Sequence, residues 1–288
     1  MTRSPLPSHA RLRARARESS LPTDADRSSE PPGDETPGWD ASTVARFYDE
    51  ELETWKAILG PTLHYHFGVV DPEAAPDDAE AHFDHAVRRV ADWIPQGARV
   101  LDVGCGWGGA ARVLRRERDA RLHGVTVSPA QAEHYRRSLP EAGCTLADVA
   151  ELELDERFDV AMMLESFCHV DRPERALRIL RRLAPRLVLL DHVSPGDSYV
   201  DTRWRMRFPS HEAFRALVRD AGYAIVHDER TQVPWVPAAR HWLGNVERRF
   251  PDGAPEGQLA RLAGLCRGIL AHGGSPTHIH LLVAEVEA

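Results

Sequence analysis

A stretch in the first half of the chain combines glycines with an isolated acid, ARVLDVGCGWGGAA at residues 98–111. Its apolar run ends at Asp102 and Val103, and a helical pattern begins after the glycines. Backbone without a Cβ can approach a ligand closely or adopt a positive φ. The first turn of a helix offers free N–H groups and the positive end of its dipole. The spacing therefore predicts a strand, a tight ligand-binding turn and a helix. The glycines of the turn are Gly104, Gly106, Gly108 and Gly109.

The glycine turn alone does not identify its ligand, because the pattern G-x-G-x-x-G also occurs in dinucleotide-binding folds. A nicotinamide site requires a carboxylate for the ribose hydroxyls at the end of the next strand, about 20 residues further on. That strand, LHGVTVS, ends in Thr126 and Ser128 without an acid. Asp102 instead precedes the first glycine by two residues, where a carboxylate can face an ammonium group. An aminoacyl ligand fits this arrangement better than a diphosphate does.

Three more residues with acid–base chemistry follow predicted strands. Glu165 comes directly after the apolar AMML, where burial would raise its pKa and suit a base or a stabiliser of developing positive charge. An acid at the start of a helix is the alternative interpretation of Glu165. His169 and His192 are the other candidate bases, because imidazole titrates near neutrality. These three residues form the predicted catalytic set.

Such residues meet only if a sheet brings their strands together, and the chain alternates apolar strands with amphipathic helices. Strands are expected near 121–127, 144–147, 158–163, 186–192, 223–230 and 277–286, and helices near 129–138, 172–184 and 211–221. This alternation predicts right-handed crossovers and an α/β fold with a doubly wound, mainly parallel sheet. Ligands of such sheets lie beyond the carboxyl ends of the strands. The residues expected in that crevice are Asp102, Gly104, Thr126 to Gln131, Asp148, Glu165 to His169, Asp191 and His192.

Five segments within about residues 40–193 together carry a family resemblance. They are LDVGCGWGG, GVTVSPAQ (124–131), FYDEELETW with LHYHFG (47–55 and 63–68), ADVAEL (147–152) and LESFCHVDRPERAL (164–177). The first resembles motif I of class I S-adenosylmethionine-dependent methyltransferases. The second is similar to the segment after strand 2 in the branch of cyclopropane fatty acid synthases and small-molecule C-methyltransferases, where a Gln replaces the usual ribose-binding acid.

The resemblance implies a seven-stranded Rossmann-like methyltransferase fold, S-adenosylmethionine as cofactor and a small-molecule acceptor. Gln131 with Thr126 and Ser128 would hold the ribose, and Asp148 would accept from the adenine amino group with Val149 beside the ring. Asp148 as an acid of a turn, and Thr126 as an ordinary strand residue, are the alternatives. The implied cofactor-binding set is Tyr48, Tyr65, Asp102, Gly104, Gly106, Gly109, Thr126, Ser128, Gln131, Asp148, Val149 and Glu165.

The chain divides into four predicted parts. Residues 1–39 are rich in Arg, Ser, Pro, Asp and Glu and are predicted to form a disordered tail. Residues 40–96 form an N-terminal helical lid, starting with a helix from Asp40 that carries apolar residues at helical spacing. By resemblance the lid covers the cofactor. Residues 97–193 form the cofactor-binding core, and 194–288 complete the core with insertions that cap the substrate. A decorative subdomain is the alternative for these insertions.

Composition narrows the function further. The formal net charge of −8 argues against a general nucleic-acid binder, which needs a basic face for phosphates. No apolar run approaches the 18 or so residues that span a bilayer. The four cysteines lack a C-x-x-C pair, which predicts reduced thiols in a cytoplasmic protein without a metal site. A homodimer is compatible with the sequence.

The leading hypothesis is a small-molecule methyltransferase of bacterial secondary metabolism, such as antibiotic biosynthesis, that acts on carbon, nitrogen or oxygen. One alternative keeps S-adenosylmethionine but changes the reaction, as in a cyclase or another enzyme that transfers no methyl group. A second alternative is a degenerate fold that only binds a partner. An apolar cap with few charges would suit a small or prenylated metabolite.

Overall fold

The computed structural model of the chain describes residues 41–48, 52–202, 204–253 and 256–286. The predicted tail, residues 1–39, lies outside this range, and so do residues 49–51 within the first predicted helix. That helix is therefore described as two, Ala41–Tyr48 (α1) and Leu52–Leu59 (α2).

Nine strands form the β structure of the described residues. They are β1 (Arg99–Val103), β2 (Arg121–Thr126), β3 (Gly143–Leu146), β4 (Val160–Leu164), β5 (Arg186–Val193), β6 (Tyr199–Asp201), β7 (Met206–Phe208), β8 (Tyr223–Arg230) and β9 (His278–Val286). Seven of them make one sheet in the order β3-β2-β1-β4-β5-β9-β8. In this sheet β9 runs antiparallel to both of its neighbours, and the other pairs are parallel. The predicted doubly wound, mainly parallel sheet is confirmed.

Helices cover the sheet and extend beyond it. After α1 and α2 they are α3 (Ala79–Ala91), α4 (Gly109–Arg118), α5 (Pro129–Ser138), α6 (Pro173–Leu183), α7 (His211–Asp220), α8 (Trp235–Arg249) and α9 (Gln258–His272). The predicted long loop after β5 contains the hairpin β6–β7. No helix in the described part of the chain is long and apolar enough to cross a membrane.

Two apolar clusters, one on each face of the sheet, hold it in place. Leu187 to Leu190 of β5 are fully buried, which explains why this strand reads as a continuous apolar run rather than an alternating one. Leu187 and Leu189 pack with the cluster that includes α6 and α7, whereas Val188 and Leu190 pack with the one that includes α3 and α4. The order in which successive strands are added to the sheet reverses at β1, which lies between β2 and β4. Crevices of doubly wound sheets form at such a point.

A third apolar cluster lies above this crevice and joins the N-terminal helices to the late insertions. It contains Trp55 of α2, Phe83 of α3, Trp242 of α8 and Leu262 of α9. Phe83 and Trp242 stack with ring centroids 5.5 Å apart. The side-chain amide of Asn245 donates to the carbonyl of Ile58 over 2.6 Å. Segments more than 180 residues apart thus share one core.

The start of α4 touches the segment that leads from this third cluster to the crevice. A Cβ added to Gly109 would lie 2.8 Å from Nδ1 of His64 and 2.9 Å from the carbonyl oxygen of Leu63. The guanidinium of Arg112 donates to the carbonyl of Thr62 over 2.6 Å. The third glycine of the G-x-G-x-x-G pattern therefore allows residues 62–64 to lie directly on the helix.

This close approach predicts the effect of Gly109→Ala. The added methyl should push residues 62–64 away and lower the free energy of unfolding by about 1–3 kcal/mol. The matched control is Gly264→Ala, because Gly264 is an exposed residue inside α9 with nothing near its would-be Cβ. That variant should gain up to about 1 kcal/mol from helix propensity. Urea denaturation measures both. Equal stability of Gly109→Ala and wild type would contradict the close approach.

Candidate active site

A cleft opens at the carboxyl ends of β1, β2 and β4, with a volume of about 1090 Å³ including its mouth. We call it the cofactor cleft. It lies at the edge of the sheet that the sequence predicted, and most of the predicted residues line it. Those that do are Tyr48, Tyr65, Asp102, Gly104, Gly106, Thr126, Gln131, Asp148, Val149, Glu165 and His169.

The glycine turn makes the floor of the cleft. Gly104 and Gly106 have φ of +76° and +52°, in the left-handed region that favours glycine. A Cβ at Gly104 would collide with the side chain of Ser166, which anchors the turn by donating to the carbonyl of Val103 over 2.7 Å. A Cβ at Gly106 would meet protein only at the carbonyl oxygen of Gly104, 4.0 Å away. Gly106 therefore leaves an open cradle that a side chain would fill.

Asp102 supplies an unpaired acid beside this cradle. Its side chain is 2% exposed, and Oδ2 has no hydrogen-bond partner among the described residues. Burial raises the pKa of Asp102 to about 7. A buried carboxyl without a partner is costly, and a cationic ligand would relieve that cost.

The residues after β2 form a connected group. The hydroxyl of Thr126 donates to Oε1 of Gln131 over 2.7 Å, and both side chains line the cleft. Ser128 does not line it. Its Oγ accepts from the backbone N–H of Gln131 and so caps the N-terminus of α5. The structure therefore brings Thr126 and Gln131 to the cleft and uses Ser128 to hold the turn that presents them.

Of two further residues predicted to bind the cofactor, Asp148 lines the cleft and Gly109 does not. Asp148 lines the cleft, but its Oδ1 accepts from the backbone N–H of Ala150 over 2.8 Å and its Oδ2 pairs with Arg172 over 3.0 Å. These contacts are those of an acid in a turn, which was the alternative interpretation of Asp148. Gly109 does not line the cleft, because it faces residues 62–64 instead.

A second and larger cavity adjoins the cleft, with a volume of about 2060 Å³ including its mouth. We call it the acceptor chamber. Its walls come from the lid segment Tyr65–Phe67, the hairpin β6–β7, helices α8 and α9, and residues 273–277. Of the residues that line it, the sequence analysis named Tyr48, Tyr65, Glu165, His169 and His192. The five residues that line both cavities are Tyr48, Tyr65, His66, Glu165 and His169.

Glu165 and His192 form a buried pair in the wall of the acceptor chamber. Nε2 of His192 lies 3.3 Å from Oε2 of Glu165, and the backbone N–H of Phe67 donates to Oε1 over 2.9 Å. Burial raises the pKa of Glu165. Burial lowers the pKa of His192, but the hydrogen bond and charge of Glu165 outweigh it and leave that pKa raised. Both shifts favour a proton held between the two groups. The carboxylate contacts His192 and Phe67 rather than the N–H groups at the start of a helix, which was the alternative interpretation of Glu165.

His169 also lies at the junction between the two cavities. Its Nδ1 is 2.9 Å from the carbonyl oxygen of Arg205, and its Nε2 is 3.3 Å from the hydroxyl of Tyr48. A carbonyl only accepts, so Nδ1 carries the proton and Nε2 accepts. Burial lowers the pKa of His169, which keeps the ring neutral.

Asp191 was expected in the crevice but lines neither cavity. Its carboxylate is fully buried and accepts from the backbone N–H groups of Phe167, Cys168 and His192 over 2.7 to 3.2 Å. It lies behind the site and fixes the ends of β4 and β5 relative to each other.

The sequence predicted no metal site. Among the described residues, His211, Asp228 and His280 bring their ligand atoms within 4.8 Å of one another. Asp228 already bonds to both histidines and to Arg215. None of the three lines the cofactor cleft or the acceptor chamber.

The sheet order, the glycine turn and an adjoining acceptor chamber define a class I methyltransferase architecture. Comparison with known proteins places the chain within it. A family model described as "Methyltransferase domain" matches residues 77–228, more than half of the chain. The chain therefore belongs to the methyltransferase domain family. S-adenosylmethionine is the methyl donor of this class, as the sequence predicted.

Curated relatives agree with this assignment. An O-methyltransferase, cnsE, from Penicillium expansum is 31% identical over 64% of this chain and 72% of its own. A 2-methyl-6-phytyl-1,4-hydroquinone methyltransferase from Synechocystis is 30% identical over 72% of this chain and 73% of its own. A "Probable fatty acid methyltransferase" from Pseudomonas putida is 27% identical over 75% of this chain. The match spans only 60% of the length of that last protein.

Solved structures show the same fold. The [4+2]-cyclase SpnF superposes with a TM-score of 0.71 at 22% identity and covers 86% of this chain and 96% of its own. The mycolic acid cyclopropane synthase CmaA1, complexed with SAH and CTAB, has a TM-score of 0.70 at 16% identity and covers 85% of this chain and 97% of its own.

The residues of the cleft fit S-adenosylmethionine. The orphaned carboxyl oxygen of Asp102 suits the ammonium of its methionine portion, and the cradle at Gly106 admits a ligand where a Cβ would stand. The described residues that line the cleft include no Lys or Arg, which suits a cationic sulfonium. The shape of the cleft, its charge and the family assignment thus all indicate S-adenosylmethionine as the ligand.

The raised pKa of Asp102 predicts a pH dependence. The ionised carboxyl binds the ammonium, so affinity for S-adenosylmethionine should rise about tenfold between pH 5.5 and pH 7, as Asp102 ionises with a pKa of about 7. Asp102→Asn should weaken binding at pH 7 and flatten this dependence. Titration calorimetry measures it, with the exposed Asp77→Asn as control. An unchanged pH dependence in Asp102→Asn would contradict the pairing.

The same shift has a consequence for stability. The folded pKa of Asp102 exceeds that of the unfolded chain, so the folded state loses stability as pH rises from about 4 through 7. Without ligand, the free energy of unfolding of Asp102→Asn should therefore exceed that of the wild type at pH 8 by up to about 4 kcal/mol. At pH 4 the two proteins should be equally stable. Thermal unfolding at both values checks the sign.

Proposed function

We propose that this chain transfers the methyl group of S-adenosylmethionine to a small, neutral and largely apolar acceptor. One observation carries the proposal. The cofactor cleft and the acceptor chamber share five lining residues, so a group bound in one can meet a group bound in the other at their junction. Transfer between two sites requires such a shared wall.

Bound S-adenosylmethionine supplies an electrophilic methyl group and leaves as a neutral thioether. The protein then contributes alignment, exclusion of water and proton transfer. We propose that Asp102 holds the ammonium, that Thr126 and Gln131 hold the ribose, and that Val149 lies beside the adenine. Tyr48 and Tyr65 offer aromatic faces to the sulfonium at the junction.

The charge of the acceptor follows from the chamber walls. The described residues that line the chamber include no Lys or Arg, and its acids are Glu165 and Asp201. Apolar and aromatic groups, such as Phe67, Trp242 and Leu262, make up much of the rest. An anionic acceptor would therefore lose its hydration without gaining a cationic partner. The hydroquinone named for the Synechocystis relative is the better guide to the acceptor than the fatty acid named for the Pseudomonas relative.

Matched acceptors test this proposal. Purified protein is incubated with methyl-labelled S-adenosylmethionine and either neutral 4-octylphenol and 2-octylhydroquinone or anionic octanoate and octyl phosphate. The neutral pair should accept label at least about tenfold faster, given the cost of burying an unpaired charge. The Gly106→Val variant, whose side chain fills the cradle, should transfer no label to any of the acceptors.

The products separate the alternatives. S-adenosylhomocysteine formed with the neutral acceptors supports methyl transfer, whereas methylthioadenosine would indicate attack on the aminocarboxypropyl chain. Cofactor that binds but is never consumed would favour a cyclase or a binding protein, in keeping with the fold shared with SpnF. Faster labelling of octanoate would overturn the proposed acceptor class.

We propose a role in secondary metabolism, such as antibiotic biosynthesis, a cytoplasmic location and action as a homodimer without a nucleic-acid partner. The four free cysteines, Cys105, Cys144, Cys168 and Cys266, support a reducing compartment. The net charge of −8 supports the absence of a nucleic-acid partner.

A further inference from the structure

Three side chains of the lid form a line from the junction of the two cavities towards solvent: His66, His64 and Asp84. Nε2 of His66 lies 3.0 Å from Nδ1 of His64, and Nε2 of His64 lies 3.0 Å from Oδ1 of Asp84. Both histidines are buried, and the Asp84 carboxylate is 21% exposed. We propose that His66 is the catalytic base that takes the proton of the acceptor, with His64 and Asp84 as its positioning residues. The proposal rests on the proposed function.

Asp84 sets the orientation of the line. Its Oδ2 lies 3.5 Å from Arg88 and 3.4 Å from Arg116. The hydrogen bond from His64, with the nearby arginines, lowers the pKa of Asp84 despite its partial burial. An ionised carboxylate only accepts, so Nε2 of His64 carries a proton.

The tautomer of His66 follows from that of His64. In the proposal, His64 is the tautomer with its proton on Nε2, whose bare Nδ1 accepts from Nε2–H of His66 over 3.0 Å. Nδ1 of His66 is then a lone pair. Burial lowers the pKa of His66 well below its ordinary value. The lone pair is thus free at neutral pH.

Nδ1 of His66 is also the atom that lacks a partner. It is buried and has no hydrogen bond among the described residues. Of the five residues that line both cavities, His66 alone has a buried side-chain atom left unsatisfied in the described part of the chain. Glu165 is bonded to His192 and Phe67, and His169 to Arg205 and Tyr48. An acceptor bearing an O–H or N–H group can donate to His66 without breaking a bond of the protein.

The acceptor heteroatom forms a bond to the methyl carbon, the carbon–sulfur bond breaks with its electron pair staying on sulfur, and the acceptor proton moves to Nδ1 of His66. The Nε2 proton of His66 passes to Nδ1 of His64, and the Nε2 proton of His64 passes to Asp84 and on to water. The carboxylate of Asp84 stabilises the positive charge while it resides on the imidazoles. The other titratable side chains that line the two cavities are Tyr48, Tyr65, Asp102, Cys105, Asp148, Glu165, His169, Asp171, His192, Tyr199, Asp201 and His272.

Nuclear magnetic resonance tests the tautomer without any ligand. The full chain, labelled with ¹⁵N-histidine, should show His66 protonated at Nε2 and bare at Nδ1 at pH 7, assigned by comparison with His66→Gln. In Asp84→Asn the side-chain amide can donate to His64, so the Nδ1 tautomer of His66 should become populated. A wild-type His66 protonated at Nδ1 would overturn the proposal.

Kinetics provide the second arm, with 4-octylphenol as acceptor. His66→Gln should lower kcat by about 10² to 10⁴, the usual contribution of a general base, while its Kd for S-adenosylmethionine stays within about threefold. Asp84→Asn should lower kcat by more than about tenfold, as expected on loss of an orienting carboxylate. The matched control is His85→Gln, a neighbouring histidine of α3 outside both cavities.

The outcomes separate this inference from the proposed function. A wild type that methylates 4-octylphenol, with His66→Gln equally active, refutes the role of His66 alone. A wild type that methylates none of the four acceptors refutes the proposed function and with it the step assigned to His66. A His85→Gln variant as impaired as His66→Gln would attribute the loss to the lid fold and overturn the assignment.

Discussion

The buried carboxylate of Asp191 is the interaction on which the site depends. Three backbone N–H groups donate to it, two from the turn after β4 and one from its own strand β5. Hydrogen bonds to a charged group contribute about 1.5–3 kcal/mol each, so removal of this anion would release the turn. That turn carries Glu165 and His169, and Glu165 itself has φ of +48°. A non-glycine residue keeps such a conformation only where its surroundings enforce it.

The roof of the site is stable for a different reason. Its helices are covered by a core of their own, in which Trp55, Phe83 and Trp242 are almost fully buried. Burial of large aromatic side chains stabilises by about 25 cal/mol per Å² of apolar surface. Tyr65 and Phe67 lie between this core and the acceptor chamber. The ring centroid of Phe67 is 5.1 Å from that of Trp242 and 4.5 Å from that of Trp235. The chamber walls are therefore the inner surface of a packed cluster.

Local patterns were sufficient to predict the sheet, its helices and the cleft. Strands and helices repeat with periods of 2 and 3.6 residues, and glycines mark where the backbone must bend, so Asp102, Gly104 and Gly106 could be found from neighbours in sequence. Roles that depend on distant contacts could not. The use of Gly109 as a contact surface for residues 62–64 requires the lid to be in place. Asp191 binds the backbone N–H groups of the turn after β4 only once β4 and β5 lie side by side. His66 likewise aligns with His64 and Asp84 only once the lid has folded.

The two cavities share one electrostatic character, because both are lined by acids and lack basic Lys and Arg side chains among the described residues. Although the chain has 36 Lys and Arg residues, the described residues lining either cavity include none. Their acids are Asp102, Asp148, Asp171, Glu165 and Asp201. Such an environment favours a cationic ligand, and Asp102 ionises most readily when an ammonium approaches, since pairing lowers its raised pKa.

Methyl transfer then changes the charge at the junction. The sulfonium loses its positive charge, and an O–H or N–H acceptor gives up a proton at the same place. Glu165 and His192 already pair with each other, and both ring nitrogens of His169 are bonded. The proton needs an unoccupied lone pair with a path to water. Nδ1 of His66 satisfies the first condition, and the line through His64 to Asp84 satisfies the second.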